Sequence, residues 1–177
     1  MEIKIEDLKV LFSEEQLQSR IKELADEMNK FYNGEEVIAI CVLKGAVMFA
    51  TDLVKNLDMP LKMEFIRLSS YGSATTTSGK VNAVDIKLPD LNGKNVLIIE
   101  DIVDTGLTAK FLIDFMGINF NVKSLKFCSL LDKKITRKVN IEPDYYGFEV
   151  DDKFVVGYGL DYDGYYRNLR YIGYKEV

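Results

Sequence analysis

The residues best placed to do chemistry lie in Val96–Thr108, VLIIEDIVDTGLT. An apolar run, Val96–Ile99, leads straight into two adjacent acids, Glu100 and Asp101. Asp104, Thr105, Gly106 and Thr108 follow as a helix is expected to begin. In an open α/β sheet, ligands bind at the carboxyl ends of strands, which is where these acids fall. Hydroxyls, a glycine and free backbone N–H groups at a helix N-terminus are what a phosphate requires. Gly106 lets the backbone come close to such a group. The segment therefore sets carboxylates, suited to a metal or to sugar hydroxyls, beside a phosphate cradle. A plain capped helix start would use Asp104 or Thr105 as N-cap and leave Glu100 and Asp101 solvated. That accounts for one residue but not for three acids at the mouth of a buried strand. Neither GxxxxGK[ST] nor GxGxxG occurs, so the P-loop and the dinucleotide fingerprint are excluded.

What the chain lacks narrows the chemistry further. It has no histidine, which removes a histidine general base, a Ser–His dyad and a His-ligated zinc site. Its two cysteines, Cys41 and Cys128, sit in apolar runs and are expected to be buried free thiols. The net charge of −5 argues against a broad nucleic-acid surface, which needs a basic face. It does not argue against a small anionic substrate held by backbone N–H groups and a metal.

The elements that must position this segment follow from periodicity. Ser13–Tyr32 reads as an amphipathic helix, with Ser13 and Gln16 at capping-box spacing and Asn33–Gly34 as its stop. Val37–Leu43 is an unbroken apolar run, expected as a strand covered on both faces. Ala46–Leu57 suits a second helix and Leu61–Leu68 a strand. Ser69–Gly79, SSYGSATTTSG, reads as a loop, either a plain surface loop or an active-site lid. A strand is expected over Lys80–Leu88, a turn at Pro89–Gly93, a strand at Val96–Ile99 and a helix over Leu107–Met116 ending near Gly117. A further strand is expected over Val122–Leu131, with shorter strand-like pieces around Tyr145–Phe148, Phe154–Tyr158 and Tyr171–Tyr174. Strands alternating with helices predict an α/β fold with a mainly parallel twisted sheet, in one domain spanning residues 1–177. No apolar run approaches the ~20 residues that span a bilayer. The charged N-terminus lacks the apolar core of a signal peptide, so a cytoplasmic location is expected.

Val96–Thr108 resembles the phosphoribosyl-pyrophosphate (PRPP) signature of type I phosphoribosyltransferases: apolar strand, two acids, then D-T-G-x-T. The likeness extends along nearly the whole chain. Leu43–Lys44–Gly45 resembles the short pyrophosphate-binding loop, and Ser70–Tyr71–Gly72 the start of the mobile catalytic loop. Asp152–Tyr162 and Tyr166–Asn168 resemble the purine-binding segment of hypoxanthine(-guanine) phosphoribosyltransferases. The fold so implied is a parallel twisted sheet flanked by helices, with a small hood formed by terminal segments.

The resemblance also implies an activity: Mg2+-dependent transfer of phosphoribose from PRPP to hypoxanthine or guanine, through an oxocarbenium-like transition state. It implies a role for each matching residue. Glu100 and Asp101 would meet the ribose hydroxyls directly or through magnesium, with Asp161 toward a second magnesium. Asp104 would be the general base near the purine imidazole ring, and a carboxylate suits that role in a chain without histidine. Asp104, Thr105, Gly106, Leu107 and Thr108 would wrap the 5′-phosphate. Lys44, Gly45 and Arg167 would contact pyrophosphate, and a non-proline cis peptide is expected at Leu43–Lys44. Lys133 would donate to the purine 6-oxo group, since a lysine donates only and so disfavours adenine's amino group. Phe154 would stack on the purine and Val155 would offer backbone groups to its edge; FVVGY also reads as an ordinary core strand, and alternating faces allow both. Ser70 and Tyr71 would close over the site and exclude water. Family members form homodimers or homotetramers. A regulator that binds PRPP or nucleotide on the same fold would tend to carry a basic RNA-binding face or an added DNA-binding domain, and this acidic chain shows neither. A transferase for xanthine or a pyrimidine is a further alternative, against which Lys133 and Phe154 weigh.

Overall fold

The computed structural model describes residues 7–70 and 81–175. The main sheet has six strands in the order β4-β3-β2-β5-β6-β7. These are β2 (Val37–Leu43), β3 (Leu61–Ser70), β4 (Val81–Asp85), β5 (Asn95–Val103), β6 (Ser124–Asp132) and β7 (Tyr145–Glu149). All neighbours are parallel except β3 and β4. The chain leaves β2 toward β3 on one side, whereas β5 lies on β2's other side and leads on to β6. The strand order therefore reverses between β2 and β5, and a crevice opens at their carboxyl ends.

Period-two alternation divides the core between the two faces. Val37, Ala39 and Cys41 of β2, with Leu97 and Ile99 of β5, pack under α1 (Glu14–Tyr32) and α2 (Val47–Val54). Ile38 and Ile40, with Val96 and Ile98, pack under α3 (Leu107–Asn119). Both cysteines are buried and free, as expected. The Ser13 hydroxyl accepts from the Gln16 N–H while the Gln16 side chain accepts from the Ser13 N–H, completing the expected capping box, and Asn33 ends α1 in the left-handed region.

A second sheet, β1-β9-β8, joins the two ends of the chain. It consists of β1 (Lys9–Phe12), β8 (Val155–Val156) and β9 (Ile172–Tyr174), all antiparallel, and matches the expected hood. At the far edge of the main sheet, Arg20 of α1 donates from Nε to the Gly147 carbonyl and from a terminal nitrogen to the Tyr146 carbonyl, both at 3.0 Å.

Several boundaries differ from expectation. β5 continues past Ile99 to Val103, because β6 runs alongside and pairs with it as far as Val103↔Asp132. α3 runs through Gly117 to Asn119: a helical glycine costs only about 1 kcal/mol, and the burial of Leu112 and Met116 holds the helix. α2 stops at Val54, and the N–H groups of Asn56 and Leu57 turn to the carbonyls three residues back. β3 includes Ser69 and Ser70, which pair with Asn82 and Val81, so the expected loop is shorter. Tyr71 and the remainder of that loop lie outside the described residues.

Candidate active site

Three strand ends build the site. β2 ends at Leu43 and passes into Lys44–Gly45 through a cis peptide bond, where one was expected. β5 carries Glu100 and Asp101 within its last residues and ends at Val103. β6 ends at Asp132, directly before Lys133. The loop after β5 turns on Gly106, whose φ of +79° places it in the left-handed region, and α3 begins at Leu107. A Cβ on Gly106 would also press on the side chains of Arg137 and Ile141 at 2.8 Å.

The result is a cavity of about 240 Å³, lined by the unbroken run Glu100–Gly106 with Thr108 and Ala109. Most of the expected ribose-phosphate residues thus share one wall. The two acids stand at the strand end of that wall and the N-terminal turn of α3 at the other, where backbone N–H groups have no partners within the helix. The Thr105 hydroxyl accepts from the Leu107 N–H at 3.4 Å.

Gly45 faces this wall across the crevice. A Cβ built on it would lie 1.6 Å from Oδ2 of Asp101, so only glycine allows this loop to meet the end of β5. Gly159 approaches from the hood: with φ +100°, its Cβ would lie 2.1 Å from the Gly45 carbonyl oxygen. The Gly159 carbonyl accepts from Arg167 at 2.6 Å, and a second nitrogen of Arg167 pairs with Asp161 at 2.6 Å. Gly45, Asp101 and the pair Asp161 and Arg167 are therefore brought to one place from three separate segments.

Electrostatics marks the acids as unusual. Glu100 is 6% exposed, and burial followed by the nearby charge of Asp101 pushes its carboxyl well above the ordinary range. Asp101 reaches the cavity surface, yet enough protein surrounds it that burial pushes its carboxyl up from 3.8 to about 6; Arg167 opposes the shift and Asp161 adds to it. Two such carboxylates form an oxygen donor set short of positive charge, which fits a hard divalent cation. Among the described residues no three His, Cys, Asp or Glu side chains converge to hold a metal. Such a cation would draw further oxygens from water and substrate, as Mg2+ commonly does.

The shift has a consequence in solution. Folded Asp101 holds its proton up to about pH 6, whereas the unfolded chain releases it near 3.8. Its contribution to stability is present in full below the lower value and is lost as pH rises through the upper one. Asp101→Asn has no proton to lose. In chelator, the melting temperature of the parent relative to Asp101→Asn should fall between about pH 4 and 6.5. Parallel melting curves across that range would count against the shift.

The expected purine residues form a neighbouring group. The Lys133 backbone N–H donates to the Val103 carbonyl at 2.9 Å, which ties the start of its side chain to the end of β5. Its ammonium pairs with Asp152 at 2.8 Å and donates to the Lys153 carbonyl at 3.4 Å. Phe154 is 52% exposed and meets Tyr162 edge-on at 5.8 Å, while Val155 is buried and its strand pairs with β9. Lys44 is exposed, and Ser70 is the last residue of β3.

Sequence reasoning missed Thr136, Arg137, Asp132 and Asp152. The Thr136 hydroxyl donates to the Asp104 carboxylate, and Arg137 donates to the Asp104 carbonyl at 3.2 Å and to the buried carboxylate of Asp132. Asp132 could have been found, since it ends β6 as the acids end β5. Arg137 sits in a stretch that carries no motif of its own, and Asp152, at the start of the segment read for the purine, shows no sign in sequence of its pairing with Lys133.

Comparison with known proteins adds the following. The family model described as a phosphoribosyl transferase domain matches residues 10–163. The chain is 48% identical over 165 residues to a hypoxanthine-guanine phosphoribosyltransferase of Bacillus subtilis, covering 93% of this chain and 91% of that protein. It is 46% identical over 169 residues to a hypoxanthine-guanine phosphoribosyltransferase of Aquifex aeolicus, covering 95% and 94%. The crystal structure of a hypoxanthine phosphoribosyltransferase from Staphylococcus aureus superposes with a TM-score of 0.91 at 42% identity, covering 97% of this chain and 93% of that one.

Proposed function

Since the chain belongs to the phosphoribosyl transferase family, and within it to the hypoxanthine-guanine phosphoribosyltransferases, we propose that it is a purine salvage enzyme: it transfers the 5-phosphoribosyl group of PRPP to hypoxanthine or guanine, giving IMP or GMP and pyrophosphate. The observation that carries this reading is the single cavity wall running from the acids Glu100 and Asp101 to the N-terminus of α3. A ribose 5-phosphate is a sugar diol joined to a phosphate, and this wall offers a complement to each.

Thr105, Gly106, Leu107 and Thr108 hold the 5′-phosphate, largely through N–H groups at the start of α3. Glu100 and Asp101 take the ribose hydroxyls. Lys44, Gly45 and Arg167 receive the pyrophosphate, with Arg167 presenting a planar fork to phosphate oxygens. Glu100 and Asp101 would hold Mg2+, with Asp161 toward a second ion, and the metal would supply positive charge for the departing pyrophosphate. Asp104 accepts the proton of the purine imidazole ring as the bond to the oxocarbenium-like carbon forms. Lys133 donates to the 6-oxo oxygen, Phe154 lies against the ring and Val155 offers backbone groups to its edge. Ser70 and Tyr71 close over the centre so that water does not capture it.

Assembly as a homodimer or homotetramer and a cytoplasmic location complete the reading. Among the described residues no helix is long and apolar enough to cross a membrane. The test is an assay of the purified protein with Mg2+ and PRPP against hypoxanthine, guanine, xanthine and adenine separately. Nucleotide should form from the first two. Nucleotide from none would turn the reading toward a ligand-binding regulator. In the same assay Lys133→Ala should raise KM for hypoxanthine about tenfold or more, since a buried donor to an acceptor is lost. Unchanged hypoxanthine binding in that variant would remove the Lys133 role.

A further inference from the structure

We propose that Asp152 is a positioning residue for purine selection, acting through Lys133; the inference rests on the reading above, in which Lys133 donates to the 6-oxo oxygen. An ammonium has three N–H donors and no acceptor. In this structure one faces the Asp152 carboxylate at 2.8 Å and another the Lys153 carbonyl at 3.4 Å. One donor is left over, and the positions of the other two fix its direction. The start of the side chain is held as well, by the Lys133 N–H on the Val103 carbonyl. A flexible four-carbon stem is thus pinned at both ends, which a lysine does not achieve alone.

The burial of the pair is lopsided. The Lys133 side chain is 12% exposed and that of Asp152 68%. The ammonium is shielded where the purine would arrive, while its carboxylate partner stands at the rim. Asp152 also lies two residues before Phe154. The same ion pair therefore ties the stretch that carries the aromatic ring to the end of β6, so that hydrogen-bond donor and stacking face are set relative to each other. A rim carboxylate on a shielded lysine is also open to ionic screening, which acts on exposed charges over about 10 Å at 0.1 M salt.

The test is steady-state kinetics with the two substrates varied separately. Asp152→Ala should raise KM for hypoxanthine about tenfold, equivalent to ~1.4 kcal/mol, and leave KM for PRPP within about twofold. Asp152→Glu should restore most of the loss, because it keeps the charge. Raising salt from about 50 to 500 mM should raise the parent's hypoxanthine KM but leave that of Asp152→Ala nearly level. In a Lys133→Ala background, Asp152→Ala should add nothing further, because its effect passes through the lysine. A hypoxanthine KM unchanged in Asp152→Ala, a matching rise for both substrates, or full additivity with Lys133→Ala would each overturn the inference. A parent that uses neither hypoxanthine nor guanine would instead overturn the functional reading, and this is seen before any variant is measured.

Discussion

Replacing Asp104 with asparagine should leave PRPP binding near that of the parent and lower turnover by about 10²-fold or more, the usual scale for a general base. The reason lies in how the residue is held. Asp104 is exposed in the loop after β5, and its carboxylate accepts one hydrogen bond, from the Thr136 hydroxyl. Its backbone carbonyl accepts from Arg137 at 3.2 Å. An asparagine amide has nearly the same shape, can still accept from Thr136 through its own oxygen and leaves the backbone bond untouched. The phosphate turn at Gly106 should keep its form, and only the ability to take a proton disappears. Single-turnover rates together with calorimetric titration of PRPP would separate chemistry from binding. Parental turnover in Asp104→Asn would remove the base assignment; weakened PRPP binding with normal single-turnover chemistry would make Asp104 a phosphate ligand instead.

A loss of similar size is expected from a far smaller change, one methyl group at Gly45. Its Cβ would sit 1.6 Å from Oδ2 and 2.6 Å from Cγ of Asp101, much closer than atoms can approach. Asp101 cannot simply swing away, because its other oxygen accepts from the Ile102 N–H at 2.8 Å and Glu100 beside it is buried. The Lys44–Gly45 loop must therefore move, and Gly159, packed on the Gly45 carbonyl, must move with it. A displacement of about 1 Å at a reacting centre can cost 10²-fold. Gly45→Ala should lose about that factor in kcat/KM for PRPP, while overpacking lowers stability by only about 1–3 kcal/mol. The protein should thus remain folded by circular dichroism and be nearly inactive. Full activity in Gly45→Ala would show that the close contact of Gly45 with Asp101 is not needed.

Much of the frame was legible because it is written locally. Val37–Leu43 reads as a doubly covered strand and forms one with the same bounds, since its burial on both faces leaves no polar position. Ser13 and Gln16 announce a capping box at the spacing that the helix geometry demands. The acids and the D-T-G-x-T run could be placed because a strand end followed by a helix start is itself a local pattern. What escaped depends on partners distant in sequence. Glu100 and Asp101 belong to β5 only because β6 keeps pairing beside them. Lys9–Phe12 becomes a strand only by pairing with residues 172–174, at the opposite end of the chain. Arg137 reaches back to Asp104, and Asp152 reaches Lys133 across a loop. Composition cannot reveal an ion pair whose two members are separated by a strand and a turn.

The arginine on α1 that binds the Tyr146 and Gly147 carbonyls has a consequence for how copies of this chain can associate. β7 is the last strand on its side of the sheet, and an edge strand with free carbonyls is a template on which a foreign strand can grow. Here a charged, forked side chain already donates to carbonyls of that strand, and a newcomer would have to compete with it. Growth of the sheet through β7 is disfavoured from within the monomer. Association through this part of the surface is left to side-chain contacts.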